Sequence, residues 1–457
     1  MNCMNYIFKS INRKKVYSML LFLFCQLELF SQSFNMVGCK APYETLSIGA
    51  YNNELIYSRG GDSMCGVLIN GVGKWNRLTW DNFGIGIDQN DGGGFLSSIS
   101  FKNELYLGGH FYTIGGKTTN KIARWNGIQW DSVGKGLDAQ GNLEKITAMT
   151  VYKNELYVAG LFRQVDGVTG YNHIAVWNGT SWRKIGGLFG SLPEVYCMAV
   201  YKNELYVGGL FTQAGFTPAN FIARWDGQQW RRVGKGTSSI VQSMVVDTVN
   251  DILYVAGDFR YVNDTIKCKV AQWDGNNWEA VGNPTIFPSS VLSMEMYHGY
   301  LYAAGISYNG LVTDTCLARW DGNAWEPILG PSSTITCLKT YKDELYLGGS
   351  FKMINNDSIP YLARYYSPDS VVAGIVFTSN KNNKLEVYPN PVENTLIIKS
   401  DLIFEKYLVY SLDGKLVLEI TRPTSKSIDF VKLTKGEFIL KAYPKNSNVY
   451  IARFRKE

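Results

Sequence analysis

The sequence predicts an all-β chain: a seven-bladed β-propeller closed by an N-terminal strand, followed by a small C-terminal β-sandwich. Three observations predict it. A tetrapeptide of the NELY type recurs with its leucine at Leu55, Leu105, Leu156, Leu205, Leu253, Leu301 and Leu345, a period of roughly fifty residues, which is the range of propeller blades. Tryptophans five apart run in step with it, at Trp75/Trp80, Trp125/Trp130, Trp177/Trp182, Trp225/Trp230, Trp273/Trp278 and Trp320/Trp325. Between most of these pairs lies Asn-Gly or Asp-Gly. That dipeptide accepts the positive φ angles of a type I′ turn, so each pair reads as a two-strand hairpin.

Each repeat divides into four apolar runs, seen in the third copy as Ile146 to Tyr152, Glu155 to Gly160, His173 to Trp177 and Ser181 to Gly186; these are strands a to d. One four-strand sheet leaves an apolar face uncovered, and radial packing of successive sheets covers it. The seventh copy stops at Tyr365, Tyr366, Ser367 and Pro368 without a strand d. The start of the mature chain supplies one, because Phe34-Asn-Met-Val37-Gly38 has the pattern of Trp130-x-x-Val133-Gly134, Trp182-x-x-Ile185-Gly186 and Trp230-x-x-Val233-Gly234. The propeller is therefore expected over residues 34–368, its last blade taking its outer strand from the N-terminus and tying the ends together.

Ahead of that strand, Lys9, Arg13, Lys14 and Lys15 precede the apolar run Val16 to Phe24 and the small residues Ser31 and Ser33, the layout of a secretory signal peptide over residues 1–33. The run is shorter than the ~20 residues of a spanning helix, so no membrane span is expected after cleavage. Large Phe24 before Cys25 argues against a lipid-modified cysteine. The 457 residues carry a formal charge of +6; about +3 remains beyond residue 33, with about +5 in the stretch from residue 381 and about −2 in the repeats. That distribution lacks the basic clustering of a nucleic-acid binder.

Cys39, Cys65, Cys197, Cys268, Cys316 and Cys337 lie beyond the leader, an even number in an exported chain that allows disulfides, and Cys39 with Cys65 is the best candidate pair. Cys197 and Cys337 fall eight residues before the repeat leucine, where the other copies carry Ser47, Ser97, Ala148, Val245 and Ser293. This is a small core position on strand a, which suits a free thiol.

Gly108-Gly109, Gly208-Gly209 and Gly348-Gly349 close strand b and are followed by Phe111, Phe211 and Phe351. This pattern resembles kelch-type propellers and, more closely, the WdG..W repeat propellers of bacterial secreted proteins and fungal cortical polarity markers. The first copy (NELIYSRGG) and the sixth (Ala304-Gly305-Ile306) depart from it. The resemblance implies no activity, since propellers host enzymes and pure binding modules alike. Asp226-Gly227 and Asp321-Gly322 are adjacent pairs, unlike the spaced pair of a sialidase Asp box.

The tryptophans invite a sugar-stacking role, but a residue recurring in six blades is expected to pack blade on blade. Arg124, Arg224, Arg319 and Arg364 are likewise expected to bridge blades or cap carbonyls. His110, His173 and His298 lie in different repeats with no metal spacing, and no nucleophile or phosphate-loop motif occurs, so neither metal nor cofactor is expected. Asp88-Gln-Asn90-Asp91-Gly92 lacks EF-hand spacing and reads as a turn.

The a-to-b and c-to-d turns are tight, whereas the b-to-c and d-to-a connections are long and vary. Both long sets emerge on one face, where binding normally sits. Candidate binding residues there are His110, Tyr112, Arg163, Asp166, Tyr171, His173, Phe216, Arg260, Tyr261, Asp264, Tyr308 and Asp314. A complete scaffold without a catalytic constellation favours a non-catalytic module for an extracellular glycan or protein. The alternative is a polysaccharide-acting hydrolase or lyase whose carboxylates converge only in the fold.

After Pro368 a polar run marks a linker over 369–384. Strand-like alternation follows at Leu385 to Tyr388, Thr395 to Lys399, Tyr407 to Ser411, Lys415 to Ile420, Phe438 to Ala442 and Val449 to Phe454, consistent with a β-sandwich over 385–457. Within it stand Tyr388-Pro389-Asn390-Pro391, then Tyr410-Ser-Leu412-Asp413-Gly414-Lys415, then Leu433-Thr-Lys435-Gly436-Glu-Phe438, and a basic end at Arg453, Arg455 and Lys456. In that order they resemble the type A sorting domain of the type IX secretion system in Bacteroidetes, with Phe438 where Tyr is usual. Pro389 and Pro391 stiffen the exit from the first strand, and Asp413-Gly414 makes a tight turn. The resemblance implies an export address read by outer-membrane machinery, usually removed afterwards, with the cargo released or fixed to surface glycolipid. Tyr388, Pro389, Asn390, Pro391, Asp413, Gly414, Lys415 and Gly436 would carry that signal.

Overall fold

The computed structural model describes residues 33–456, apart from 59–62, 89–92, 138–142, 288, 307–315, 367–384, 401, 412–415, 422, 424, 431–432, 434 and 445–449. The expected signal peptide up to residue 32, the expected linker, Tyr308, Asp314, Asp413, Gly414 and Lys415 lie outside the described residues, and of the stretch 88–92 only Asp88 lies inside them. Every named element is a β-strand, and the strands form many small sheets.

Seven four-stranded antiparallel sheets follow the seven repeats. In the fourth, strands a (Glu194–Tyr201), b (Glu204–Leu210), c (Ile222–Trp225) and d (Trp230–Arg232) pair in chain order. The seventh takes Ile335–Tyr341, Glu344–Gly349 and Leu362–Tyr366, and its fourth strand is Ser33–Met36. This strand starts one residue before the expected cleavage boundary. Phe34 stands opposite Tyr365, ring centroids 4.9 Å apart. Strands a of successive repeats lie side by side, and that of the seventh lies beside Ser47–Tyr51 of the first.

Neighbouring sheets are joined by the second tryptophan of each pair. Its indole N–H, which needs an acceptor once buried, donates to a carbonyl of the preceding sheet: Trp130 to Phe83 at 2.9 Å, Trp230 to Ile185 at 3.0 Å, Trp278 to Val233 at 3.1 Å and Trp325 to Val281 at 2.8 Å. Each acceptor lies three residues beyond the tryptophan position of its own repeat. Trp80 donates to Val37 at 2.9 Å, and Val37 lies three residues beyond Phe34. Phe34 thus holds the tryptophan position of the seventh sheet.

The tight turns divide their labour differently from the expectation. In c-to-d turns a single residue has positive φ, glycine in five copies (Gly127, 101°) and Arg77 (87°) in the first, and the Asn126 side chain accepts hydrogen bonds from the Ile128 and Gln129 N–H groups at 2.9 and 3.0 Å. Asn or Asp is needed there for its side-chain oxygen. Paired positive φ angles, as a type I′ turn requires, occur in a-to-b turns instead, at Lys102 and Asn103 (50° and 64°) and at Lys202 and Asn203 (47° and 60°).

Strand a bulges between Val195 and Cys197, and the same irregularity recurs in five other repeats. The bulge presses strand a onto the end of strand b: a Cβ on Gly209 would lie 2.2 Å from the Glu194 carbonyl oxygen, so glycine is required. The register sets Cys197 opposite Gly208 and Cys337 opposite Gly348; both thiols are free and partly buried. In the fifth repeat the a-to-b turn is longer, with Asp247 opposite Ile252, so Ser243 and not Val245 takes this position. There Ser243 Oγ accepts from the Met294 N–H at 3.0 Å, as Ser293 Oγ does from Leu338 at 3.0 Å. The position bonds one sheet to the next.

Cys39 and Cys65 form a disulfide, Cα atoms 5.7 Å apart, between the segment after the N-terminal strand and the first repeat. The repeated arginines correct the expectation of bridges between repeats. Arg124, Arg224 and Arg364 pair with the NELY-type Glu104, Glu204 and Glu344 of their own sheets at 3.3, 3.0 and 3.0 Å, and Arg319 pairs with Glu326 at 2.7 Å.

The C-terminal residues form two sheets. One holds Glu386–Tyr388, Thr395–Lys399 and Ser427–Asp429; the other holds Leu416–Thr421, Phe404–Ser411, Gly436–Pro444 and Tyr450–Lys456. Both contribute to one core that includes Leu396, Ile428, Val409, Leu440 and Phe454. Ser427–Asp429 was not expected, being three residues long with Ile428 as its single apolar residue.

Candidate functional site

In the second, third, fourth, fifth and seventh repeats the long b-to-c connections are small hairpins rather than open loops, stitched to the d-to-a segment of the preceding repeat. In the fourth repeat Gln213–Ala214 pairs both with Thr217–Pro218 and with Leu188–Phe189 of the third. Bridges join Ile87 to Ile114, Leu137 to Val165, Thr237 to Val262 and Pro331 to Ile354. Length and sequence variation hid this pairing, because two-residue strands carry no periodic signal.

The hairpins sort the candidate residues. Tyr171 and His173 are buried, 6 % and 3 % exposed, within an apolar cluster that includes Phe162 and Val165. Burial, aided by Arg163, lowers the His173 imidazole to about 4, so it stays neutral at ordinary pH. Tyr112 lies under the ammonium group of fully buried Lys121, 3.4 Å from its ring centroid. Asp166 accepts the Lys135 backbone N–H at 2.7 Å. His110 is half-buried at the end of strand b of the second repeat, its N–H donating to Gly94 at 3.1 Å. Arg163, Arg260, Tyr261, Asp264 and Phe216 are exposed. Arg260 and Tyr261 donate their backbone N–H groups to Ser238 Oγ at 3.0 and 3.1 Å, fixing the start of the fifth hairpin.

Between the fourth and fifth repeats these connections frame a groove of about 270 Å³. Its walls include Pro218, Asn220, Arg232, Lys235 and Asp264. Arg232 Nε donates to the Pro218 carbonyl at 3.0 Å, Asn220 Nδ2 to the Lys235 carbonyl at 2.9 Å, and Lys235 pairs with Asp264 at 2.9 Å. Of these only Asp264 was singled out from the sequence. A signal was present: strand d of the fourth repeat reads Trp-Arg-Arg, where the second and fifth read Trp-Asp-Ser and Trp-Glu-Ala.

A second cluster assembles from three repeats near the start of strands a. Tyr196 donates its hydroxyl to Glu194 Oε2 at 3.3 Å, and Lys145 pairs with Glu194 Oε1 at 2.8 Å. Burial, then Glu194 and Asp258, push the Tyr196 phenol up to about 12. Glu194 and Tyr196 share one face of a strand, two residues apart, but nothing linear in the sequence links them to Lys145 or Asp258. Among the described residues no group of three or more His, Cys, Asp or Glu side chains is placed to hold a metal ion.

In the C-terminal sheets the Tyr-Pro-Asn-Pro segment is pinned to the last strand. Asn390 Oδ1 accepts the Arg455 N–H at 2.9 Å, and the Val392 N–H donates to the Arg455 carbonyl at 2.7 Å. Tyr388 is left 48 % exposed beside it. Gly436 stands opposite Lys456 on the same terminal strand. Residues 386–454 match the family model described as a secretion system C-terminal sorting domain, that of the type IX system. The protein is secreted or attached to the cell surface. The sorting domain implies interaction with the secretion machinery. No helix among the described residues is long and apolar enough to cross a membrane.

No curated protein matches the chain. Solved structures similar to it include the extracellular domains of two proteins from B. thetaiotaomicron described as hybrid two-component systems. One is 12 % identical at a TM-score of 0.47, over 93 % of this chain and 57 % of its own. The other is 12 % identical at 0.49, over 92 % and 55 %. A computationally designed protein is also similar, 12 % identical at 0.40 over 91 % and 97 %. The chain spans little more than half the length of the two extracellular domains.

Proposed function

We propose that the seven repeats form a seven-bladed β-propeller of the kelch-like kind over 34–368, closed by the N-terminal strand, and that a β-sandwich over 385–457 follows it. A signal peptide over 1–33 takes the chain to the periplasm, and the type IX system, reading the Tyr388–Pro391 segment, the 413–415 turn and Gly436, carries it out. Outside, the propeller is a non-catalytic module that binds a glycan or a protein on its long-connection face. The observation that carries this reading is the charged groove between the fourth and fifth repeats, with Arg260, Tyr261 and Asp264 on the next hairpin. Arg163 and His110 extend the same face, while Tyr112, Asp166, Tyr171 and His173 hold its hairpins in place.

The second reading, a hydrolase or lyase acting on polysaccharide, would use the Glu194 carboxylate, which the Tyr196 hydroxyl and the Lys145 ammonium group hold at 3.3 and 2.8 Å. The mature protein, screened on a glycan array, against surface proteins and for polysaccharide breakdown, separates the two. Saturable binding without released product supports the binding module. Product release that Glu194→Gln abolishes establishes the enzyme, and neither binding nor turnover overturns both.

A further inference from the structure

We propose that the groove between the fourth and fifth repeats takes one acidic unit of a polyanionic polysaccharide; this rests on the long-connection face being the binding surface. The junction between the second and third repeats shows what is different here. There the Asp166 carboxylate is spent on the Lys135 backbone N–H at 2.7 Å. At the fourth and fifth repeats the corresponding N–H, that of Lys235, is met by Asn263 Oδ1 at 3.1 Å. The next residue, Asp264, stands where the third repeat has Gly167; it pairs with the Lys235 ammonium group, and both side chains remain about two-thirds exposed, at 60 % and 65 %. An exposed pair of this kind contributes little, so an incoming anion displaces it at small cost.

Arg232 stands where the second repeat has Ser132. Its Nε is held on the Pro218 carbonyl, and among the described residues no carboxylate lies within ion-pair distance of its guanidinium. Both Nη groups therefore remain for a planar anion, which guanidinium recognises bidentately. Arg231 beside it is already paired, with Asp226 at 2.9 Å. Phe216, at the tip of the hairpin leading to Pro218, is fully exposed. A phenyl ring left in water offers an apolar face on which a sugar ring can stack. The groove volume is below the ~300–1,000 Å³ that engulfs a whole small ligand, which fits a single unit of a longer chain lying across the rim.

The mature protein is tested by affinity electrophoresis and calorimetry against polygalacturonate (carboxylate), heparin (sulfate), a neutral glucan and single-stranded DNA. The expected result is binding to one or both acidic polysaccharides, weakened at least about tenfold in Arg232→Ser/Lys235→Ala, with a salt slope shallower by about one to two. Phe216→Ser weakens the same binding without changing the salt slope. Circular dichroism should be unchanged, since Ser is what the second repeat carries. Binding to the neutral glucan alone sinks this proposal and leaves the wider reading standing. Equal affinity for DNA reduces the groove to a charge patch and overturns it, as does acidic-polysaccharide binding that the double variant leaves intact.

Discussion

The Tyr341 hydroxyl donates to the Asn53 carbonyl at 2.5 Å, joining the last repeat to the first. The bond repeats between neighbours: Tyr51 to Asn103 at 3.1 Å, Tyr152 to Asn203 at 2.9 Å, Tyr201 to Asp251 at 2.6 Å and Tyr297 to Asp343 at 3.1 Å. Each places the strand a tyrosine on the a-to-b turn of the next sheet, so the seventh-to-first junction uses the same device as the others. Tyr341→Phe should therefore cost about 1 kcal/mol in urea unfolding, matching Tyr152→Phe. A silent Tyr341→Phe beside a costly Tyr152→Phe would mean that the two ends do not meet in solution.

The Cys39–Cys65 disulfide acts at the same junction, across a sequence separation of 26 residues. Cys39→Ser should lower stability by about 3 kcal/mol. Dithiothreitol should bring the wild type down to the level of the variant and leave the variant unchanged. Equal stability of oxidised wild type and variant would show the bond to be structurally idle.

His173 gives stability a pH dependence of definite sign. Its folded-state value, about 4, lies below the ordinary ~6.5, so protonation favours the unfolded chain. The contribution is whole above about pH 6.5 and is lost as pH falls towards 4, to a limit of about 3 kcal/mol. His173 has a φ of 77°, which Asn tolerates, so His173→Asn should flatten unfolding stability across that window. An unchanged pH profile in the variant would assign the acid sensitivity to other groups.

The repeat period, the tryptophan pairs and the N-terminal strand were legible because each is a local pattern repeated in register. Phe34 and Val37 could be matched to Trp130 and Val133 by spacing alone. Tyr171 and His173 looked like loop residues because the hairpins that bury them consist of two-residue strands. For Arg124 the sequence leaves a bridge between repeats or a carbonyl cap open, because only the register, which sets it opposite Tyr106, brings it to Glu104 of its own sheet. Lys145 and Asp258 reach Glu194 and Tyr196 from the repeats on either side, and no spacing rule in the sequence links one repeat to the next in this way. The shift from Val245 to Ser243 came from two extra residues in one turn.

Export should depend on the C-terminal sheets and folding of the repeats should not. A chain ending at residue 384 is expected to accumulate in the periplasm with the unfolding midpoint of the repeats unchanged, and residues 378–457 fused to a periplasmic reporter should carry it outside in a host with a type IX system. Fractionation and thermal unfolding check this together. Normal surface or medium levels of the truncated chain would contradict it.

The most direct measurement concerns Ser33–Met36, the strand paired with Leu362–Tyr366. Deleting Phe34 to Gly38 removes the partner of Leu362–Tyr366, the acceptor of the Trp80 indole and the side chains of Phe34, packed on Tyr365, and almost fully buried Val37, and leaves an open sheet edge. Burial of the two side chains alone amounts to about 4 kcal/mol. Calorimetry of the deleted and intact mature chains should show the whole repeat transition moving to lower temperature as one cooperative unit, with Phe34→Ser giving a smaller shift in the same direction. A deleted chain that melts at the temperature of the intact one would contradict closure by the N-terminal strand.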